Sequence, residues 1–162
     1  MPKTNQSENT DDTKVVANFS DKQATDKAPT PNPKACLEAA RIAIEQKGLD
    51  VRAIQVSECS SIADYFLIVS ATSERHAKGI ADKILKTLRE ELEEKATSTN
   101  GYDSGEWILI DYADLLVHIF YEPIRQYYEF DELWKNANEV KLSSELEEQA
   151  RKLRTGVIPT SY

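Results

Sequence analysis

The chain has 162 residues, enough for one domain with tails, and its 20 lysines and arginines against 28 aspartates and glutamates leave a formal net charge of −8. That balance argues against tight, non-specific binding to nucleic acid, which needs clustered cations to displace counterions, and favours a basic protein as partner. Two cysteines without paired spacing argue against a disulfide framework or a zinc site, and no apolar stretch approaches the ~20 residues of a membrane-spanning helix, so a soluble protein of a reducing compartment is expected.

Residues 1–33 are polar, mixed in charge and proline-spaced at their end. Such a segment cannot bury enough apolar surface to offset its ordering entropy, and a disordered N-terminal tail is expected there. It has no arginine and several aspartates, unlike an organelle transit peptide, so the bacterial cytoplasm is the default location and an organelle the second choice.

An ordered domain is expected over residues 34–137. Leu37, Ala40 and Ile44 share one helical face, and Lys47 with Gly48 supplies a stop, which predicts a first helix over about 35–47. Ala53, Ile54 and Val56 read as a short strand, and residues 57–63 as a loop. Tyr65 to Val69 is a continuous apolar run suited to the centre of a sheet covered on both faces. Ala77, Ile80, Ala81, Ile84, Leu85, Leu88 and Leu92 then repeat at helical spacing, predicting a long helix over about 73–95 with Thr72 or Ser73 as its cap and Glu74 at its positive end.

The segment 97–105 returns the chain to the sheet, with room for one short strand. Trp107–Ile110 and Leu115–Tyr121 read as a hairpin joined through Asp111 to Asp114. Pro123 suits a first helical turn, which predicts a helix over 124–128, with Phe130, Leu133 and Trp134 closing the core. Residues 138–162 read as a C-terminal helical extension or tail: Ser144 with Glu147 forms a capping box, Leu146, Ala150 and Leu153 make a narrow apolar stripe, and Gly156 ends it. The fold class is α/β: a single domain whose mixed β-sheet is flanked by helices, because a passage through a long helix favours a parallel crossover and the hairpin is antiparallel.

The strings SSIADYFLIVSATSERHAKGIADKI and EWILIDYADLLVHIFYEPIRQYYEFDELW carry a resemblance to the ribosomal silencing factor family, also called RsfS or Iojap, over about Ala35 to Trp134. The resemblance implies an α/β fold related to nucleotidyltransferases but without their activity. It implies binding to ribosomal protein fourteen of the large subunit, on the face where the subunits meet. Occupying that face blocks subunit joining and represses translation under nutrient limitation. One departure is visible: the family's small turn after the central strand carries a Ser-Gly or Thr-Gly pair, and here it is Ser70 and Ala71. A left-handed backbone at that point would suit glycine and strain alanine.

Read from the residues, the alternative is a nucleotide-binding or nucleotidyltransferase-like enzyme on the same fold. A two-metal site needs converging carboxylates, commonly at i and i+2 of one strand. Asp64 is present, but Phe66 stands at i+2, and no GxxxxGK[ST] loop exists. The chain is therefore read as not an enzyme, with no cofactor and no metal.

A docking surface is placed instead at Glu106, Trp107 and Ile108 with Asp111 and Asp114 close by. This combines an aromatic anchor with negative charge that could steer a basic ribosomal protein, and the resemblance implies contact for the stretch Glu106 to Ile108. Trp107 is balanced between interface and core. Tyr65, Arg75, His76 and His118 complete the candidates; His118 alternates with Val117 and Ile119 and is expected on the opposite face, turned to solvent or to a partner. The tyrosines of QYYEF are read as a helix packing on the sheet. The expected partner is the large ribosomal subunit through ribosomal protein fourteen, with little or no direct nucleic-acid contact and no membrane. A homodimer of the free chain stays open.

Overall fold

A computed structural model describes residues 32–155. The expected disordered tail lies outside the described residues except for Asn32 and Pro33, and so does Gly156.

Helix α1, Lys34–Glu45, turns Cys36, Ala39, Ala40, Ile42, Ala43 and Ile44 inward. It stops where Lys47 enters the left-handed region at φ 65°, and the Gly48 amide donates to the Ala43 carbonyl at 2.8 Å. A side chain at Gly48 would stand 2.6 Å from Val69 Cγ1, so the glycine lets helix and sheet close on each other. Strand β1, Leu49–Gln55, starts four residues before the expected Ala53, because a bulge between Leu49 and Arg52, with Asp50 at φ 47°, re-registers a polar start onto the sheet.

Strand β2, Tyr65–Ala71, is buried along its whole length. Helix α2, Glu74–Leu92, follows with Ser73 as N-cap, its Oγ accepting from the His76 amide at 2.9 Å; Glu93 closes it in the left-handed region at φ 56°. Strands β3, Ser98–Asn100, β4, Trp107–Asp111, and β5, Leu115–Tyr121, come next, and the short strand allowed for in 97–105 is β3.

Helices α3, Glu122–Tyr127, and α4, Phe130–Leu133, are both shorter than two turns. Strand β6, Asn138–Glu139, pairs with β1, so the sheet continues past Ala137 into the segment read as an extension. Helix α5, Ser144–Arg154, is capped by Ser143, whose Oγ accepts from the Leu146 amide, in place of the expected Ser144. Its stripe of Leu146, Ala150 and Leu153 is half-buried, with no residue fully covered.

The sheet order is β3-β4-β5-β2-β1-β6. Strands β2 and β5 are parallel and every other pair is antiparallel, which is the mixed sheet expected from a helical crossover and a hairpin. Alternation divides the core. Leu67, Val69, Val117, Ile119, Ile108 and Ile110 meet α1 and α2, while Phe66, Ile68, Leu116 and Phe120 turn to the other face with Phe130 over them.

Two expectations change. Ala71 lies in β2, paired with Tyr121, and the left-handed non-glycine residues described are Lys47, Asp50, Glu93, Ala113 and Glu129; the alanine sits in extended backbone that needs no glycine. Leu133 does not close the core: it is 73% exposed, because Glu129 at φ 48° breaks the chain between α3 and α4 and the restart that turns Phe130 inward turns Leu133 out.

Glu93 is exposed and holds a conformation that costs a non-glycine residue about 1 kcal/mol. Glu93→Gly is expected to stabilise the protein by about that amount, read as a raised midpoint in chemical denaturation, although it deletes a surface carboxylate.

Candidate functional site

The face of the sheet away from α1 and α2 is aromatic. Phe66 from β2, His118 and Phe120 from β5 and Trp107 from β4 stand side by side because they occupy alternate positions of neighbouring strands in register: Trp107 opposite Phe120, Leu109 opposite His118. Phe130 and Trp134 lie over them. Ring centroids are 4.7 Å apart for Phe66–His118, Phe66–Trp134 and His118–Phe130, and 4.8 Å for Trp107–Phe120.

The Trp107 indole Nε1–H donates to His118 Nδ1 at 3.2 Å. An indole nitrogen can only donate, so Nδ1 accepts and the imidazole proton lies on Nε2. His118 Nε2 and Trp134 Nε1 are buried in this layer without a protein partner.

Cover on this face is thin, since α3 and α4 have six and four residues. Large apolar groups are left in solvent as a result: Tyr127 is 78% exposed, Tyr128 54% and Ile62, in the loop after β1, 67%. Tyr128 lies against the half-buried Trp107, with ring centroids 5.4 Å apart and planes tilted by 49°, and Tyr127 meets Tyr128 edge-on at 5.1 Å. Carboxylates surround the aromatic layer: Glu106, Asp114, Glu129 and Glu132 are exposed, and Asp111 projects on the same face as Trp107.

One buried cation positions the cover. Arg125, 8% exposed, donates from Nε and Nη2 to both oxygens of Asp131 at 2.7 and 2.8 Å, and from Nη1 to the Asp50 carbonyl at 2.8 Å and Ser70 Oγ at 2.9 Å. The hydrogen bonds from Arg125 hold the Asp131 carboxyl below the usual carboxylate range. Arg52 adds a bond from Nη2 to the Trp134 carbonyl at 2.9 Å and one from Nε to Glu139 at 2.5 Å. These groups line a cleft of about 730 Å³ together with Arg154, which pairs with Asp50 at 2.6 Å. Each of its three guanidinium groups is held by a carboxylate.

The structure gathers some of the candidate residues and separates others. Trp107, Asp111 and His118 share the aromatic face, with Glu106 and Asp114 exposed at its edges. Ile108 and Tyr65 are corrected: they point into the helical layer, 0% and 4% exposed, and offer no contact surface. His118 is on the expected face but is 5% exposed, because Phe66 and Phe130 cover it; a solvent-facing imidazole is ruled out.

Arg75 is exposed on the first turn of α2. His76 accepts at Nδ1 from the Thr72 amide, so Nε2 carries the proton and donates to the Gln46 carbonyl at 2.8 Å, tying the start of α2 to the end of α1. Tyr127, Tyr128, Leu133 and Trp134, assigned from the sequence to packing alone, and the Arg125–Asp131 pair are not among the expected site residues. The YY pair six and seven residues past the hairpin strand was the available signal, and only the break at Glu129 decides which way those rings face. Among the described residues, no cluster of three or more His, Cys, Asp or Glu could hold a metal, and no helix is long and apolar enough to cross a membrane.

A family model described as ribosomal silencing factor during starvation matches residues 29–157. The ribosomal silencing factor RsfS of Bacillus subtilis is 34% identical over 107 residues, which is 65% of this chain and 90% of that one. A crystal structure of a protein from Chromobacterium violaceum is similar with a TM-score of 0.60 at 27% identity, over 70% of this chain and 92% of that one. A mouse protein named mitochondrial assembly of ribosomal large subunit protein 1 is 26% identical over 92 residues, 56% of this chain and 40% of that one.

Burial pushes the His118 imidazole down from 6.5 to about 4, so the fold holds it neutral while the unfolded chain protonates near its ordinary value. Between those values the unfolded state binds more protons. The stability from a neutral His118 is therefore complete above about pH 6.5 and is lost as the pH falls toward 4, by about 3 kcal/mol at most. Denaturant unfolding from pH 7.5 to 4 should show this slope. His118→Gln should flatten it while lowering stability at pH 7; a variant profile as steep as the parent's would assign the slope to another group.

Proposed function

Because the chain belongs to the ribosomal silencing factor family, we propose that it docks on the large ribosomal subunit through its aromatic face, binds ribosomal protein fourteen there, and blocks joining of the small subunit. It lowers translation in this way when nutrients are short. One observation carries the choice of face: Tyr127, Tyr128 and Leu133 stand in solvent on the short helices that cover it, and Tyr128 lies against the half-buried Trp107. Interface energy concentrates in such aromatic and apolar anchors at the centre of a patch. The carboxylates of Glu106, Asp111, Asp114, Glu129 and Glu132 around them speed and orient the approach of a basic protein.

The action is by occupancy. A domain of this size has a radius of gyration of ~14 Å, enough bulk to hold two subunit surfaces apart wherever it sits between them. No chemical step is required, and the chain works in the bacterial cytoplasm as a regulator without catalysis. Relatives named for silencing and for assembly of the ribosomal large subunit support the same target.

Exposed anchors can be removed without opening the core. Tyr127→Ala with Leu133→Ala should shift thermal stability little and weaken co-sedimentation with isolated large subunits about thirtyfold or more, equivalent to ~2 kcal/mol. Trp107→Ala should lower both, since its ring packs on Phe120 and Phe130. Unchanged binding and unchanged inhibition of subunit joining by the folded double variant would show that this face is not the docking face.

A further inference from the structure

The outer surface of α2 is unlike the rest of this acidic chain. Arg75, Lys78, Lys83, Lys86 and Arg89 fall within about 140° of the helix circumference and extend over roughly 21 Å of its length. Asp82 and Glu90 are the carboxylates on the same arc, and Asp82 is engaged as the acceptor of the Tyr102 hydroxyl at 2.8 Å. Arg75, Lys83, Lys86 and Arg89 are exposed and Lys78 is half-buried beside the Tyr102 ring; Lys83 borders the cleft between α1 and α2, which Arg41, Glu45 and Glu91 also line.

Their lack of partners separates them from the chain's other arginines. Every other arginine is bound to a carboxylate: Arg41 to Glu38, Arg52 to Glu139, Arg125 to Asp131, Arg151 to Glu148 and Arg154 to Asp50. Arg75 and Arg89 have no carboxylate partner among the described residues, and neither do Lys78, Lys83 or Lys86. Lys78 with Asp82, Lys86 with Glu90 and Arg89 with Glu93 have the helical spacing for ion pairs, yet none of these pairs forms. Cations left free along one line present a positive track within an acidic protein.

The track lies on the opposite side of the sheet from the aromatic face and begins at the sheet edge that carries Glu106. The Glu74 carbonyl, one residue before Arg75, packs against Gly105, where an added Cβ would lie 2.8 Å from it, and Gly105 immediately precedes Glu106 and Trp107. We propose that this face of α2 is a second contact surface, on which Arg75, Lys78, Lys83, Lys86 and Arg89 bind the phosphate backbone of RNA bordering the protein docking site on the large subunit.

The inference rests on the ribosome-binding reading and supplies its RNA component. It is compatible with the net charge of −8, because the apolar anchors bring the protein to the subunit and the track needs only local phosphate contacts to set its orientation. Free RNA, without the anchors, is repelled by the remaining surface.

The test uses the full chain and the neutral triple variant Lys83→Gln, Lys86→Gln, Arg89→Gln, with thermal melts of both proteins. Each is titrated against isolated ribosomal protein fourteen and against intact large subunits between 50 and 200 mM salt. The variant is expected to bind the isolated protein as the parent does, and to bind intact subunits about tenfold more weakly at the low-salt end. Its slope of log affinity on log salt should be smaller by about 2 to 3, roughly 0.7–0.9 for each phosphate that is no longer neutralised. Equal affinity and slope on intact subunits would overturn the RNA contact and leave the docking reading standing. Equal weakening on the isolated protein would overturn it too, assigning the track to protein. Failure of the parent to bind either target would remove the ribosome-binding reading together with this one. If the triple variant melts early, Arg75→Gln with Lys78→Gln, at the opposite end of α2, carries the same comparison.

Discussion

A strand with all seven side chains buried must be covered on two sides, and β2 imposes that requirement on everything around it. The two sides are met unequally. Toward α1 and α2 the cover is aliphatic and thick: alanines on both helices allow close approach, and Ile80, Ile84 and Leu88 reach the sheet fully buried. Toward the other side only ten helical residues are available, so aromatic rings supply the volume that helices would otherwise provide. Large rings on short helices cannot all be hidden. The exposed Tyr127, Tyr128 and Leu133 are a direct consequence of how little chain covers that face.

The thin cover needs positioning that apolar contact alone does not give, and the Arg125 network provides it. A planar guanidinium donates to Asp131 in two parallel bonds and also reaches the Asp50 carbonyl and the Ser70 hydroxyl, which joins α3, α4, β1 and β2 through one residue. Asp50 can offer its carbonyl in that direction because the β1 bulge places it in the left-handed region. Its carboxylate meets Arg154 at the end of α5. The C-terminal helix and the aromatic face are thus tied to the same irregular residue, although far apart in sequence.

Charge is distributed with the same asymmetry. The aromatic face is rimmed by acids, while the outer surface of α2 carries cations without partners. A net charge describes neither surface. The protein's overall acidity suits a basic partner at the aromatic face, whereas the helix surface carries five cations interspersed with Asp82 and Glu90.

Much of the domain was legible in the sequence. The long helix was plain because seven apolar residues at helical spacing have no other economical arrangement, and the central strand because five consecutive apolar residues bounded by polar loops must be covered on both faces. Parallel and antiparallel pairing followed from the lengths of the connections. Local chemistry determined these features, and the tertiary structure only had to agree with them. What it decided was the second face. Whether Trp107 and His118 meet and which way Leu133 turns depend on a left-handed residue, a strand register and an ion pair between residues six apart on two successive helices, none of which has a periodic signature. The pairing of Trp107 Nε1 with His118 Nδ1 arises because β4 and β5 lie in a register that sets Leu109 opposite His118. Periodicity determines which residues are buried along each element; only packing between elements determines what each of them touches, because side-chain partners are chosen by register and not by spacing along the chain.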